Sequence, residues 1–185
     1  MELILPTRAH LPAYVAALER GWSADNVRKE VAAREELARI ATDPQGFLDG
    51  HEDPQAAAGP VTLPDGSQVP RLPGIRRWIW DDGQFCGSIG LRWPADFGPL
   101  PSHVLGHIGY AVVPWQRGRG LATRALALML DEARRRGLRS VELTTDPDNL
   151  PSQKVITTNG GVLVRSFVKD AAFGGAEGLL YRIDL

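Results

Sequence analysis

Between a strand-like run ending at Val113 and an amphipathic pattern starting at Leu121, the chain reads Pro114-Trp115-Gln116-Arg117-Gly118-Arg119-Gly120-Leu121-Ala122. Glycines at such a junction let successive backbone N–H groups turn toward one point, beside the positive end of the helix that follows. Gly118 and Gly120 admit an anion close to the main chain, and Arg117 and Arg119 add positive charge nearby. Phosphate or pyrophosphate binding is the chemistry such a turn performs. The plain alternative is a strand-to-helix turn with solvated arginines. Two other phosphate loops do not fit. No Gly-x-x-x-x-Gly-Lys-Ser/Thr run is present for a nucleoside triphosphate, and no Gly-x-Gly-x-x-Gly follows an early strand for a dinucleotide. The single cysteine, Cys86, excludes an internal disulfide framework and a cysteine-rich zinc site, so no metal is expected. Its apolar, strand-like setting favours a buried thiol over a nucleophile.

The elements that must position this loop follow from periodicity. Glu2–Leu5 reads as a first strand, and Thr7 caps a helix from about Ala9 to Arg20. Ser23 or Asp25 opens a second helix to about Ala41, with Val27, Val31, Leu37 and Ile40 as its apolar stripe, and Asp43-Pro44 ends it. Residues 45–74 are rich in Pro, Gly, Asp and Gln and read as an irregular excursion, either a substrate-side loop or a plain surface connection. Ile75–Trp80 and Phe85–Trp93 form a hairpin about Asp82-Gly83, and a loop over Pro94–Ser102 leads to a strand at His107–Val113. Leu121–Arg136 is a strong helix with Gly137 as its C-cap. Ser140–Thr145, a helix at Ser152–Asn159 and strands at Val162–Val168 and Leu179–Ile183 complete an α/β or α+β pattern. At 185 residues this is expected to be one domain spanning 1–185.

The glycine loop resembles the cofactor loop of the GNAT superfamily of acyl-CoA-dependent N-acyltransferases, Gln/Arg-x-x-Gly-x-Gly/Ala, which Arg117-Gly118-Arg119-Gly120-Leu121-Ala122 matches. Asp148-Asn149-Leu150-Pro151-Ser152 through Asn159-Gly160-Gly161 is similar to the superfamily's second conserved region. The likeness is strong from about Trp78 to Leu163. Gly87-Ser88-Ile89-Gly90-Leu91-Arg92 and Gly106-His107-Ile108-Gly109-Tyr110 bring it closest to a poorly characterised subgroup of predicted acetyltransferases. The resemblance implies a mixed, mostly antiparallel central sheet flanked by helices and splayed between its fourth and fifth strands. It implies acetyl-CoA as co-substrate. Val112 and Val113 would hold the pantetheine arm through their main chain, and residues Arg117 to Ala122, Leu121 among them, would hold the pyrophosphate. Thr123 would add a hydroxyl, and Asn149 and Ser152 would approach the far end of the arm.

Direct transfer to an amine in a ternary complex needs a base, a stabilised oxyanion and a proton for the thiolate. His107, before Val112 on the same strand and with an ordinary pKa near neutrality, is the first candidate base or an ordering histidine. Glu142 on the next strand is the second, or else a surface carboxylate. Many superfamily members carry a thiolate-protonating Tyr seven residues after the Asn, where this chain has Ile156. Tyr110 and Tyr181 are the available substitutes; packing is the ordinary role of both. Arg92 and Trp93 end a strand near the expected acceptor entrance, and Arg92 suits an acceptor carboxylate.

The function expected is transfer of an acetyl or similar group to a primary amine of a small molecule or peptide. The alternative is a non-catalytic CoA-binding or sensory module. With 21 basic and 22 acidic residues, no global charge draws the chain to nucleic acid or an anionic membrane. Arg134-Arg135-Arg136 lies at a helix C-terminus, where arginines are favoured without any nucleic acid. The start Met-Glu-Leu-Ile-Leu-Pro lacks a signal-peptide pattern, so a cytoplasmic location is expected. Exposed strand edges leave a homodimer open.

Overall fold

Asp82 and Gly83 both take positive φ, 49° and 72°, the turn that matches the twist of two antiparallel strands. They join β5 (Gly74–Asp81) to β6 (Gln84–Arg92), the centre of the computed structural model, which describes residues 1–63 and 65–185. β1 (Glu2–Ile4) pairs on the outer side of β5, and β7 (Ile108–Val112) pairs on the outer side of β6. The first sheet therefore runs β1-β5-β6-β7, with the short β2 (Glu52–Asp53) alongside the start of β5. A second sheet is ordered β8 (Ser140–Thr145), β10 (Glu177–Asp184), β9 (Val162–Val168). Every ladder in both is antiparallel.

Strand alternation gives the first sheet two apolar faces. Ile75, Ile79, Ile89, Leu91 and Ile108 pack with α4 (Leu121–Arg135), whose Leu121, Ala125, Leu126, Met129, Leu130 and Ala133 recur at helical spacing. Leu126 and Met129 are wholly buried, each contributing about 1.5–3 kcal/mol through burial. α5 (Leu150–Thr158) adds Ile156 to the same core, which extends over Val141, Leu143, Tyr181 and Ile183 of the second sheet. The opposite face carries Trp78, Phe85, Ala111 and Val113 under α1 (Leu11–Glu19), α2 (Lys29–Thr42) and α3 (Pro44–Asp49). There Tyr14 stacks on Trp78 with centroids 4.3 Å apart and planes at 4°. Cys86 is a buried core thiol.

Two sequence expectations change on the α1 side. The second helix starts at Lys29, because Asp25 Oδ1 accepts the N–H groups of Val27 and Arg28 and holds them in a turn, and Lys29 takes a φ of 42°. Ala32, Ala33 and Ile40 face the core, leaving Val27 and Val31 exposed. The excursion begins in order: Asp43 caps Gly46 at 2.9 Å, α3 follows, and Phe47, Leu48 and His51 are buried. A two-residue hairpin, β3 (Val61–Thr62) with β4 (Gln68–Val69), brackets Pro64, which lies outside the described residues. No helix among the described residues is long and apolar enough to cross a membrane.

The two sheets meet at β7 and β8, the fourth and fifth strands of the sequence reading, without a ladder between them. His107 donates its backbone N–H to the Glu142 carbonyl at 2.7 Å, just before β7 begins. Gly106 permits the approach: a Cβ there would lie 3.0 Å from the Glu142 carbonyl oxygen, at a φ of 157°. Beyond this joint the strands diverge. Tyr110 reaches Ser152, at the start of the helix after β8, so both strands point the same way, as an α4 crossover requires. The result is a V, closed at His107 and Glu142 and open where α4 and α5 begin.

Candidate active site

The edges of the V are main-chain groups. In an antiparallel pair, residues alternate between bonding to the partner and pointing away from it. Arg92 N–H donates to the His107 carbonyl and Val113 N–H to the Cys86 carbonyl, which sets the bonded positions of β7 at the odd-numbered residues. Ile108, Tyr110 and Val112 therefore turn their N–H and C=O toward the V. The Val112 carbonyl accepts from Arg117 Nε at 3.2 Å, and the Tyr110 carbonyl accepts from Asn26 Nδ2 at 3.2 Å. The N–H groups of Tyr110 and Val112 face the opening. Val113 corrects the sequence reading: its N–H bonds Cys86 and its carbonyl accepts Gln116 N–H at 3.0 Å, so its main chain is not free to hold a pantetheine amide.

At the mouth of the V, Gly118 and Gly120 have φ of 78° and 70°, and Gly120 is the N-cap of α4. A Cβ at either would meet nothing within 4 Å, so backbone conformation and not packing calls for glycine, and the space above the loop is open. The first turn of α4, with Leu121, Ala122 and Thr123, contains no acidic residue to compete with an anion for its N–H groups. Arg117 leans back on Val112, while Arg119 is held by Asp81 at 2.8 Å and by Gln116. The loop is thus fixed by its own arginines.

On the α4 face, the Tyr110 hydroxyl lies 2.9 Å from Ser152 Oγ. Burial pushes its pKa up, and the Ser152 hydrogen bond opposes that. Asn149 caps α5 by accepting Ser152 N–H at 3.1 Å, so its Oδ1 serves the helix and its Nδ2 remains available. Ile156 is buried in the core. Tyr181 is also a core residue, its hydroxyl bonding Gln153 at 3.2 Å.

On the α1 face, His107 Nδ1 accepts the Glu142 N–H at 3.0 Å. The ring proton then sits on Nε2, and neither nitrogen of the neutral ring has a free lone pair. Burial, followed by the nearby Arg92 charge, lowers its pKa to about 4. The side chain of Glu142 lies on this face as well, opposite in strand alternation to Val141 and Leu143 and partly exposed. Arg92 projects here too. Trp93 does not: it is buried in the α4 core with the Arg136 guanidinium 5.0 Å from its ring centre, so the expected substrate contact is replaced by packing. Arg134, Arg135 and Arg136 pair with Asp131 and Glu132 at 2.6–2.9 Å.

Sequence reasoning missed a partly buried polar group on the α1 face of β5, two strands from the V. Tyr14 donates to Glu36 Oε2 at 2.5 Å, and Arg76 donates to Glu36 Oε1 at 3.2 Å. The adjacent Arg76-Arg77 pair was the available signal, since a strand must turn one of two neighbours to each face. Another concavity, of about 580 Å³, lies by Thr7, Gln45 and Asp49, near β1 and three strands away from the V. No cluster of three or more metal-ligating side chains occurs among the described residues.

No curated protein matches this sequence. Among solved structures, the fold is similar along nearly the whole chain to RimL, a ribosomal L7/L12 α-N-protein acetyltransferase in complex with coenzyme A. That match has TM-score 0.64 and 14% identity, covering 99% of this chain and 93% of the other. A ribosomal-protein-alanine N-acetyltransferase from Brucella melitensis matches at TM-score 0.60 and 16% identity over 100% of both chains. Mycobacterium smegmatis RimJ, in complex with a CoA-disulfide, matches at TM-score 0.58 and 20% identity over 97% of this chain and 79% of the other. These likenesses establish the fold. The sequence profile of the acetyltransferase (GNAT) family matches residues 35–160, which include the V, the glycine loop and both helix N-termini, and the chain belongs to that family.

Proposed function

We propose that the protein transfers an acetyl or similar acyl group from acyl-CoA to a primary amine by direct attack in a ternary complex. The observation that carries the reading is the V between β7 and β8, with free main-chain N–H groups along one arm and an open glycine loop at its mouth. Acyl-CoA, when bound, supplies an activated thioester. The loop from Arg117 to Ala122 and the first turn of α4 receive its pyrophosphate, with Thr123 at the rim. Val112 N–H and Asn149 Nδ2 are donors for the amide arm, and Ser152 lines its far end.

The Tyr110 N–H, pointing into the V, is the donor for the developing oxyanion. The Tyr110 hydroxyl, on the α4 face beside Ser152, gives its proton to the departing thiolate, a task that Ile156 cannot perform. That hydroxyl favours an enzyme over a CoA-binding module. Glu142, on the α1 face, takes the proton of the attacking amine. His107 positions it: by accepting the Glu142 N–H, it fixes the closed end of the V.

Calorimetry with acetyl-CoA, followed by amine-dependent thiol release, tests the reading. Glu142→Gln is expected to keep acetyl-CoA affinity while kcat/KM falls by roughly 10²- to 10⁴-fold. Folded native protein that does not bind acetyl-CoA would sink the proposal.

A further inference from the structure

Across β5, β6 and β7, Arg76, Gly90 and Gly109 stand in one row. Alternation turns that row to the α1 face, together with Trp78, Ser88 and Ala111. Trp78, Ser88 and Ala111 are roofed by helices and buried, yet Gly109 on the same face is exposed and Gly90 is half-buried. Two neighbouring glycines thus leave a bare, solvent-facing stretch of sheet next to a row whose side chains are covered.

Arg92 lies over this stretch. A Cβ on Gly109 would be 3.5 Å from an Arg92 terminal nitrogen. Arg92 is exposed on this face, with the like charge of Arg76 and the opposite charge of Asp25 acting on it. Arg76 is neutralised by Glu36 at 3.2 Å. Arg92 has no ion pair or side-chain hydrogen bond among the described residues, and Asp25 already holds two backbone N–H groups at 2.8 Å each. A positive group beside another arginine, whose nearby carboxylate Asp25 is turned to the backbone and which has no ion pair of its own among the described residues, is arranged for an anion that arrives with a ligand.

Resting on the proposed function, the geometry points to a small amine carrying its own carboxylate or phosphate as the acceptor, with Arg92 as the residue that selects the anion. The length of that molecule follows from the strand. The anion docks above Gly109, and the nitrogen must reach the edge of the V at Tyr110, the next residue, with Cα atoms about 3.8 Å apart. Adding the reach of one hydrogen bond at the guanidinium gives roughly 5–8 Å between anion and nitrogen. A β- or γ-aminocarboxylate or an aminoalkyl phosphate spans that distance. The anionic end fixes the amine's orientation toward Glu142, and its acidic group is unchanged by the reaction.

The test uses the full chain and matched pairs: β-alanine and γ-aminobutyrate against their amides, and O-phosphoethanolamine against ethanolamine. Thiol release from acetyl-CoA is the readout, with acetyl-CoA binding measured separately. At least one anionic member is expected to exceed its neutral partner by roughly 10- to 100-fold in kcat/KM, the range of a charge-assisted hydrogen bond. Whether the carboxylates or the phosphate leads identifies the source of the anion. Arg92→Met should remove that preference while acetyl-CoA affinity and melting temperature stay near native; Arg92→Lys should restore part of it. If acetyl-CoA binds but no anionic small amine is turned over, or neutral partners or an acidic peptide are preferred, this inference is overturned and the transferase reading stands. Absence of acetyl-CoA binding overturns both.

Discussion

His107 separates a positioning role from a chemical one, and the two give opposite results in one substitution. Asn places its Oδ1 close to where His places Nδ1, so His107→Asn keeps an acceptor for the Glu142 N–H, bonded at 3.0 Å in the native chain, but cannot titrate or act as a base. His107→Ala leaves that N–H without its partner and costs about 1–3 kcal/mol. The pH dependence adds a second reading. The folded pKa of about 4 lies below the ordinary unfolded value of about 6.5, so stability is complete above pH 6.5 and is lost as pH falls toward 4. Integrated from about pH 7.5 to about pH 5, His107 accounts for about 2 kcal/mol. His51, buried and lowered to about 3 by burial and Arg76, adds about 2 kcal/mol in the same direction. Urea unfolding at the two pH values should therefore show the native chain losing about 4 kcal/mol and His107→Asn only about half of that. Amine acetylation at pH 7.5 should survive in His107→Asn and fall in His107→Ala. If the Asn variant, folded and binding acetyl-CoA, loses activity by roughly 10²-fold or more, His107 is the base and the positioning argument is wrong.

Other substitutions probe the cofactor side. Tyr110→Phe removes the hydroxyl that lies 2.9 Å from Ser152 Oγ, and kcat should fall by roughly 10²-fold with acetyl-CoA affinity kept, as single-turnover rates and calorimetry would show. An unchanged kcat would assign thiolate protonation to water. Gly118→Ala puts a Cβ at a φ of 78° into space that is empty of protein, so stability should drop by about 1 kcal/mol while acetyl-CoA affinity drops at least tenfold. Acetyl-CoA affinity within about twofold of native, by calorimetry, alongside that loss of stability in melting curves would mean that the loop merely supports the fold.

The legible parts of the sequence were those where local rules act without competition. Asp82-Gly83 specified its hairpin, the apolar spacing of α4 specified its buried stripe, and the β8 and β9 bounds agree to the residue. The α1 side was harder because longer-range contacts decide it. Val27 and Val31 have the spacing of a helix face, but Asp25 bonds the backbone first and shifts the helix start to Lys29. Trp93 and Arg92 are neighbours, and only strand parity tells which faces the α1 side. Val113 sits beside Val112 in a matching motif, yet the ladder to Cys86 uses its N–H. Motif spacing located the β7 segment, and hydrogen-bond alternation within it was needed to say which of the two valines is free.

That alternation carries a wider consequence, because it divides β7 between the two substrates. Ile108, Tyr110 and Val112 face α4 and turn their main chain into the V, while His107, Gly109, Ala111 and Val113 face the α1 side. Gly109 tests the division most cleanly. It is exposed, it has ordinary backbone conformation, and a Cβ would meet Arg92 at 3.5 Å, an ordinary contact, so Gly109→Ala should fold normally. The added methyl occupies the bare stretch of sheet without touching the open edge of the strand. Acetyl-CoA affinity should stay within about twofold of native, and the acceptor KM should rise roughly tenfold, corresponding to about 1.4 kcal/mol of crowding. A variant that instead loses acetyl-CoA and leaves acceptor KM unchanged would show that the cofactor lies on the α1 face. The assignment of Tyr110 and Glu142 to opposite sides of the reaction would then have to be exchanged.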